Sequence, residues 1–348
     1  MRQIVYNVTG APEVLHLVER DIQFPAADEV RVCVMVSGVN PTDWKSRRGS
    51  KDGEALPFAE VVPNQDGAGV IDAIGEGVTE FAVGDRVWLM LAAWQRASGG
   101  TAQDHTVVSI DRVRHLPDGV SFELGASLGV PAVTAHRALT VSEDGPSRLA
   151  PGALAGKTVL VAGGAGAVGH AAIQLARWAG ATVITTISSS AKADLATAAG
   201  AHHVVNYREG NAATEIRALA PNGVDLIVEV SPVQNSALNL AVIANRGSIA
   251  VYANNGGDAL ILDIRSHFSL NIRYQFLLLY TVGQAALDAA AEDITAALLD
   301  DALPIGEGAG LPLHHFTLEE TAAAHAAVEN DIVGKVLITL SPTFQRFS

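Results

Sequence analysis

The sequence predicts an α/β fold in two parts, a β-rich domain followed by a doubly wound parallel sheet. Three observations carry this prediction. The chain has 348 residues, more than the roughly 100–150 of a typical single core, so two domains are expected. Up to about residue 130 it reads as short strands broken by glycine and proline, and from Pro131 onward strands alternate with alanine-rich helices, the mark of βαβ units. Hydrophobic residues make up 49% and charged residues 17%, which suits buried cores rather than disorder.

In the first part, Val30 to Val36, Gly69 to Ile74 and Arg86 to Leu91 have the β-branched composition of strands bounded by turn residues. In the second, the apolar strand Thr158 to Ala162 meets a glycine turn and then a helix ending near Gly180, with Val168, Ala172, Leu175, Ala176 and Ala179 on one face. Further strands follow at Thr182 to Ile187, His203 to Asn206, Asp225 to Val230 and Ser248 to Tyr252, with helix-length spacers such as Lys192 to Ala199. Five strands in this rhythm make most of a doubly wound sheet. A helix over Gln284 to Leu299 and a glycine-rich loop come next, and Thr317 with Glu320 forms a capping-box pattern opening a helix to about Val328. A last strand, Lys335 to Leu340, is placed to join the first domain.

Charge and composition exclude several classes of function. A net charge of −14 and a pI near 5.1 repel phosphate backbones, so nucleic acid is not an expected partner. The start, Met1-Arg2-Gln3-Ile4-Val5, has no apolar signal core, and the most apolar run, Phe276 to Val282, is too short to span a bilayer. A cytoplasmic protein without membrane contact is expected. The single cysteine, Cys33, excludes an internal disulfide and a multi-cysteine metal cage, and between Val32 and Val34 it reads as a buried structural thiol.

The segment Gly163-Gly164-Ala165-Gly166-Ala167-Val168-Gly169 contains G-x-G-x-x-G directly after a strand and at the mouth of a helix. In that setting its glycines serve a tight turn, backbone approach to a pyrophosphate, and close packing of helix on strand. The helix start then offers N–H groups and a positive dipole end to the phosphates. An NAD enzyme usually places an acidic residue about 20 positions on, against the ribose 2′-hydroxyl. Here that neighbourhood reads Ser188-Ser189-Ser190-Ala191-Lys192, whose hydroxyls and ammonium suit a 2′-phosphate. The expected cofactor is therefore NADPH, although the serines also suit a helix cap. Tyr207 and Arg208, past the next strand, are positioned for the same adenosine end, and Val230, Tyr252 and Asn254, at the ends of later strands, complete the expected cofactor-binding set.

Ordered motifs along nearly the whole chain resemble the medium-chain dehydrogenase/reductase superfamily. They are Gly38-Val39-Asn40-Pro41-Thr42-Asp43, Asp66-Gly67-Ala68-Gly69-Val70-Ile71, Gly84-Asp85-Arg86-Val87, Gly99-Gly100-Thr101-Ala102, Thr134-Ala135-His136-Arg137-Ala138-Leu139, Val205-Asn206-Tyr207-Arg208-Glu209 and Gly334-Lys335-Val336-Leu337. Within the superfamily they resemble the zinc-independent, zeta-crystallin-like quinone oxidoreductases. The resemblance implies a GroES-like catalytic domain of residues 1–130 and 283–348 with a Rossmann domain of residues 131–282 inserted, an active site in the cleft between them, and homodimers paired through their Rossmann sheets.

Zinc-dependent relatives place a cysteine after Gly-Val and a His-Glu pair before the later Gly-x-Gly. This sequence has Asn40 at the first place and Gln65-Asp66 at the second. Neither Asn nor Gln is a normal zinc ligand, so no metal is expected. Without a Lewis acid to polarise an ordinary ketone, the acceptor must already be electrophilic, which points to quinones and α,β-unsaturated carbonyls. The protein's share is to orient the acceptor and offer hydrogen bonds to the developing oxyanion.

Asn40, Asp43, Lys45 and Thr134 are the candidates for that catalytic share, in segments that the family places around the acceptor. Asn40 equally suits a turn before Pro41, and Lys45, Arg47 and Arg48 equally suit a solvated basic turn. Trp44 and Lys45 stand where these relatives often carry a tyrosine, a departure that leaves the substrate open. An NADPH-dependent enone or enoyl reductase would share every cofactor residue. A non-catalytic, crystallin-like NADPH-binding protein would need the same glycine turn.

Overall fold

The structure is a computed structural model describing residues 1–340. It divides into two compact units, residues 1–130 with the described residues from 313 onward, and residues 131–312.

The first unit opens with the antiparallel pair β1 (Arg2–Val5) and β2 (His16–Glu19). Its central strand is β3 (Glu29–Val39), eleven residues long and buried at nearly every position. Helix α1 (Pro41–Arg48) follows, then β4 (Asp66–Ile74), β5 (Arg86–Leu89), β6 (His105–Ser109), β7 (Val113–His115) and the short helix α2 (Phe122–Gly125). Alternate residues of β3 and β4, among them Val30, Val32 and Ile71, are wholly buried with Val87, Leu89 and Val108 in one core. Cys33 is buried in this sheet, and burial pushes its thiol up to about 12, as a structural thiol requires.

Helix α3 (Gly129–Leu139) leads into the second unit. There β8 (Thr158–Ala162), α4 (Ala167–Trp178), β9 (Thr182–Ile187), α5 (Ser190–Ala198), β10 (His203–Asn206), α6 (Ala212–Leu219), β11 (Val224–Glu229), α7 (Pro232–Val242), β12 (Ile243–Val251), α8 (Ile264–Ser269) and β13 (Arg273–Phe276) alternate. All six strands are parallel, in the spatial order β10-β9-β8-β11-β12-β13. Helices cover such a sheet on both faces, which is why Val159, Leu160, Val161, Ile184, Ile227 and Ile249 are all buried and successive residues of β8 are apolar. The order reverses between β8 and β11, the switch point at which ligands of this architecture lie beyond the carboxyl ends of the strands. Five strands were legible in the sequence; β13 is a sixth.

Helix α9 (Gln284–Leu299) and the loop after it belong to the second unit, which corrects the expected assignment of residues 283–312 to the first domain. The physical reason lies in their bonds. Asp293 accepts from Leu149 N–H at 2.6 Å and pairs with His136 at 2.7 Å, while His170 and Gln174 of α4 donate to the carbonyls of Ala309 and Pro304, each at 2.8 Å. That cover also buries α4 continuously from Gly169 to Ala176 rather than on one face alone.

The chain then returns to the first unit. β14 (Leu313–Thr317), α10 (Thr321–Glu329) and β15 (Lys335–Thr339) complete a seven-stranded sheet in which β15 runs antiparallel to β3 with Val336 opposite Val39. At the approach to α10, Glu320 accepts from Thr317 N–H at 2.8 Å, the expected capping contact. Among the described residues no helix is long and apolar enough to cross a membrane.

Candidate functional site

In the second unit the site grows from the turn between β8 and α4. Gly163 takes φ +72, a left-handed value that a side chain would strain, and its N–H donates to Thr186 O at 3.1 Å. A Cβ on Gly169 would lie 2.4 Å from Gly163 O, so only glycine lets the helix start so close to the turn. Gly166 differs: its φ is −85, and a Cβ there would meet only Gly163 O at 3.5 Å. Backbone is thus bare on the outer side of Gly166, which caps α4 with no side-chain hydrogen bond. Bare backbone at an uncapped helix start is the cradle a pyrophosphate takes, and the residues present fit a dinucleotide. Ala165 is buried, Ala167 and Val168 half-buried, and Val230 Cγ1 stands 3.5 Å from where a Gly163 Cβ would sit.

The remaining expected cofactor residues gather at the carboxyl ends of the strands. Ser188 directly follows β9, and Tyr207, half exposed, follows β10 with its N–H on Ile187 O at 3.1 Å. Ser189 caps α5, accepting from Lys192 N–H at 3.4 Å, so the capping role is realised. Tyr252, beyond β12, donates its N–H to Glu229 O at 3.1 Å, and burial near Glu229 raises its phenol above the ordinary value. Asn254 is exposed and donates to the Asp258 carboxylate. Glu229, wholly buried at the end of β11, accepts from Ser231 N–H and from the amides of Asn235 and Asn239. Nothing in the sequence around it marked that role.

In the first unit, Asn40 and Asp43 enter one buried polar cluster with two residues that were legible only as parts of longer motifs, Asp66 and Lys335. Asn40 precedes Pro41 at the start of α1, so it does fix a chain turn, with its N–H on Asp43 Oδ2 at 2.7 Å. Its side chain does more: Nδ2 donates to Asp66 Oδ2 at 2.7 Å, and Oδ1 accepts from Lys335 Nζ, also at 2.7 Å. Lys335 Nζ lies 3.4 Å from Asp66 Oδ2, and Asp66 Oδ1 accepts from Val130 N–H at 2.8 Å. Burial and the neighbouring Asp66 push the Asp43 carboxyl up to about 8, against two backbone N–H donors and Lys335, which pull it down. Asp66 is likewise raised by burial, and Lys335 lowered by it.

The chain reaches this cluster through a strained residue. Asn64 is buried at φ +76, its amide donating to Ser37 Oγ and accepting from His325 Nε2, each at 2.9 Å. Burial lowers His325 to about 3, so its neutral ring supplies that N–H.

Lys45 is exposed, its ammonium 5.7 Å from the Trp44 ring centroid, and has no bond to the cluster. Thr134 is buried on α3 in the second unit. The neighbouring Arg47 corrects the expectation of a solvated turn: it is wholly buried and paired with Glu329 of α10. Among the described residues no group of three or more His, Cys, Asp or Glu side chains is placed to hold a metal ion.

Two family models match the chain, the alcohol dehydrogenase GroES-like domain over residues 26–118 and the zinc-binding dehydrogenase over residues 167–295. The rat quinone oxidoreductase is 36% identical over 261 residues, 74% of each chain. A mycobacterial protein solved in complex with NADPH superimposes with a TM-score of 0.80 at 26% identity, over 98% of this chain and all of that one. An NAD-dependent alcohol dehydrogenase superimposes with a TM-score of 0.83 at the same identity and coverage, so backbone shape alone does not choose between the cofactors. The glycine turn on the parallel sheet, the β-rich unit beside it in sequence, and this identity over most of the length place the chain in the quinone oxidoreductase family of the medium-chain dehydrogenases and reductases.

Proposed function

We propose that the chain is an NADPH-dependent oxidoreductase that passes a hydride to a quinone or similarly conjugated carbonyl without a metal ion. The observation that carries this reading is the turn from Gly163 to Gly169, whose backbone is bare at Gly166, the N-cap of α4, and whose helix start is capped by no side chain among the described residues. Ser188, Ser189, Lys192 and Tyr207 supply hydroxyls and an ammonium at the carboxyl ends of β9 and β10, and residues 188–192 contain no carboxylate to repel a 2′-phosphate. NADPH is also what the mycobacterial relative holds.

When bound, NADPH supplies the hydride. The chain's residues hold, orient and stabilise: the N–H groups at the start of α4, from Ala167 to Gly169, would bind the pyrophosphate, since those of Gly163, Gly164 and Gly166 donate to Thr186 O and Gly163 O. Val230 packs beside the turn, and Tyr252 and Asn254 would border the rest of the dinucleotide. The Asn40 amide offers hydrogen to the oxygen on which charge develops, a kind of stabilisation worth roughly 10²-fold in rate. Asp43 fixes Asn40 through its backbone, and Lys45 and Thr134 remain candidates for acceptor contact. The metal-free reading is supported by the donor set: the Asn40 oxygen already faces the Lys335 ammonium, and neither Asn40 nor Gln65 is a normal zinc ligand.

NADPH oxidation measured with 1,4-benzoquinone, an open-chain enone and an unconjugated ketone tests this. Turnover is expected with the first two and not the third, unchanged by chelator, with kcat/KM for NADPH about tenfold or more above that for NADH, a difference of about 1.4 kcal/mol. Ketone reduction lost on metal removal contradicts the reading. So does a preference for NADH.

The same reading includes a cytosolic homodimer paired through β13. Among the described residues no strand lies on the outer side of this edge strand, and Phe276 is 62% and Leu278 57% exposed along or beside it.

A further inference from the structure

We infer that Lys335 and Asp66 are positioning residues that lock the Asn40 carboxamide in one orientation and leave one of its N–H bonds for the acceptor oxygen. The inference rests on the proposed hydride transfer and extends it to residues outside the expected catalytic set.

An amide can turn over at little cost unless its neighbours tell oxygen from nitrogen. Here they do. Lys335 Nζ can only donate and lies 2.7 Å from Asn40 Oδ1, while Asp66 Oδ2 is met by Asn40 Nδ2 at 2.7 Å. Reversal would set NH2 against an ammonium and a carbonyl against a carboxylate, losing two charge-assisted bonds of about 1.5–3 kcal/mol each. The amide nitrogen carries two hydrogens, and among the described residues only one has a partner. A donor left unpaired on a side chain only 2% exposed is costly, which is reasonable if its acceptor arrives from outside the chain.

The frame around the pair is equally committed. A Cβ on Gly129 would lie 2.1 Å from Asp66 Oδ1, and a Cβ on Gly38 would lie 2.1 Å from Ala126 O and 3.1 Å from Lys335 Nζ. Both positions are glycine where the two charged side chains need room. Lys335 is itself carried on β15, whose pairing with β3 brings its neighbour Val336 opposite Val39, next to Asn40. Burying an ammonium and a carboxylate 3.4 Å apart gives little stability compared with an apolar pair, so their presence here fits the orientation of Asn40 better than the holding of the fold.

A double-mutant cycle on the full chain tests the assignment, with NADPH and 1,4-benzoquinone as substrates and NADPH affinity read separately from nicotinamide fluorescence. Asn40→Ala and Lys335→Met are each expected to lower kcat about tenfold or more while NADPH affinity stays unchanged, and the double variant is expected to be no slower than Asn40→Ala alone. Multiplying losses overturn the assignment, as does a Lys335→Met enzyme with wild-type kcat. Should Lys335→Met not fold, the same cycle with Lys335→Gln, which keeps a polar side chain, and with the isosteric Asp66→Asn decides by the same two criteria. A wild-type chain that binds NADPH yet reduces no quinone or enone would instead defeat the proposed function, and this assignment with it.

Discussion

Both oxygens of Asp43 accept backbone N–H groups, from Asn40 at 2.7 Å and Gln65 at 3.1 Å, yet burial beside Asp66 pushes the carboxyl up to about 8. In the unfolded chain the same group titrates near 4. Between about pH 4 and pH 8 the folded state therefore holds a proton that the unfolded state has released, so Asp43 makes stability fall as pH rises through that window and adds no slope above it. Urea unfolding at pH 5 and pH 8 is expected to show this fall, on the order of a few kcal/mol, in the wild type and to show it reduced in Asp43→Asn. An equal fall in both proteins would place the titrating group elsewhere. Asn40 and Asp43 could be found because they stand in one short motif, Gly38 to Asp43, that the family resemblance places around the acceptor. Lys335 could not be paired with them, since the contact spans 295 residues and exists only once β15 lies on β3. Arg47 misled for the same reason: beside Lys45 and Arg48 it reads as solvated, and its partner Glu329 is contributed by α10.

At the scale of elements, the parallel sheet was legible because short β-branched runs alternate with helix-length segments, β8 being apolar and buried from Val159 to Ala162; β8, β9 and β10 begin and end at the expected residues. Strand β13 was not legible, because Arg273-Tyr274-Gln275-Phe276 is half polar, as suits an edge with one unpaired side. That free edge is where a second copy is expected to pair. Phe276→Lys adds a charge to it without touching the wholly buried strands, and it is expected to shift the wild-type dimer to monomer in light scattering behind a sizing column, with cofactor affinity retained. A variant that remains a dimer, or a wild type that is monomeric, would remove β13 from the interface.

Over the whole molecule, the sequence separated a β-rich part from a βαβ part but assigned residues 283–312 to the wrong one, because an alanine-rich helix with a glycine-rich loop has the same composition in either place. What decides it is pairing at long range, Asp293 with His136 and Arg148, and Ala309 with His170. The central claim is that a dinucleotide lies across residues 163–169, and Gly166 offers the most direct test of it. Its φ of −85 suits any residue and a Cβ there meets nothing closer than 3.5 Å, so Gly166→Val is expected to fold with an unchanged unfolding midpoint. Fluorescence titration with NADPH is predicted to show saturable binding to the wild type, weakened about a hundredfold in Gly166→Val, a loss of about 2.7 kcal/mol. Equal affinity in the two proteins, or no binding by the wild type, would contradict the account.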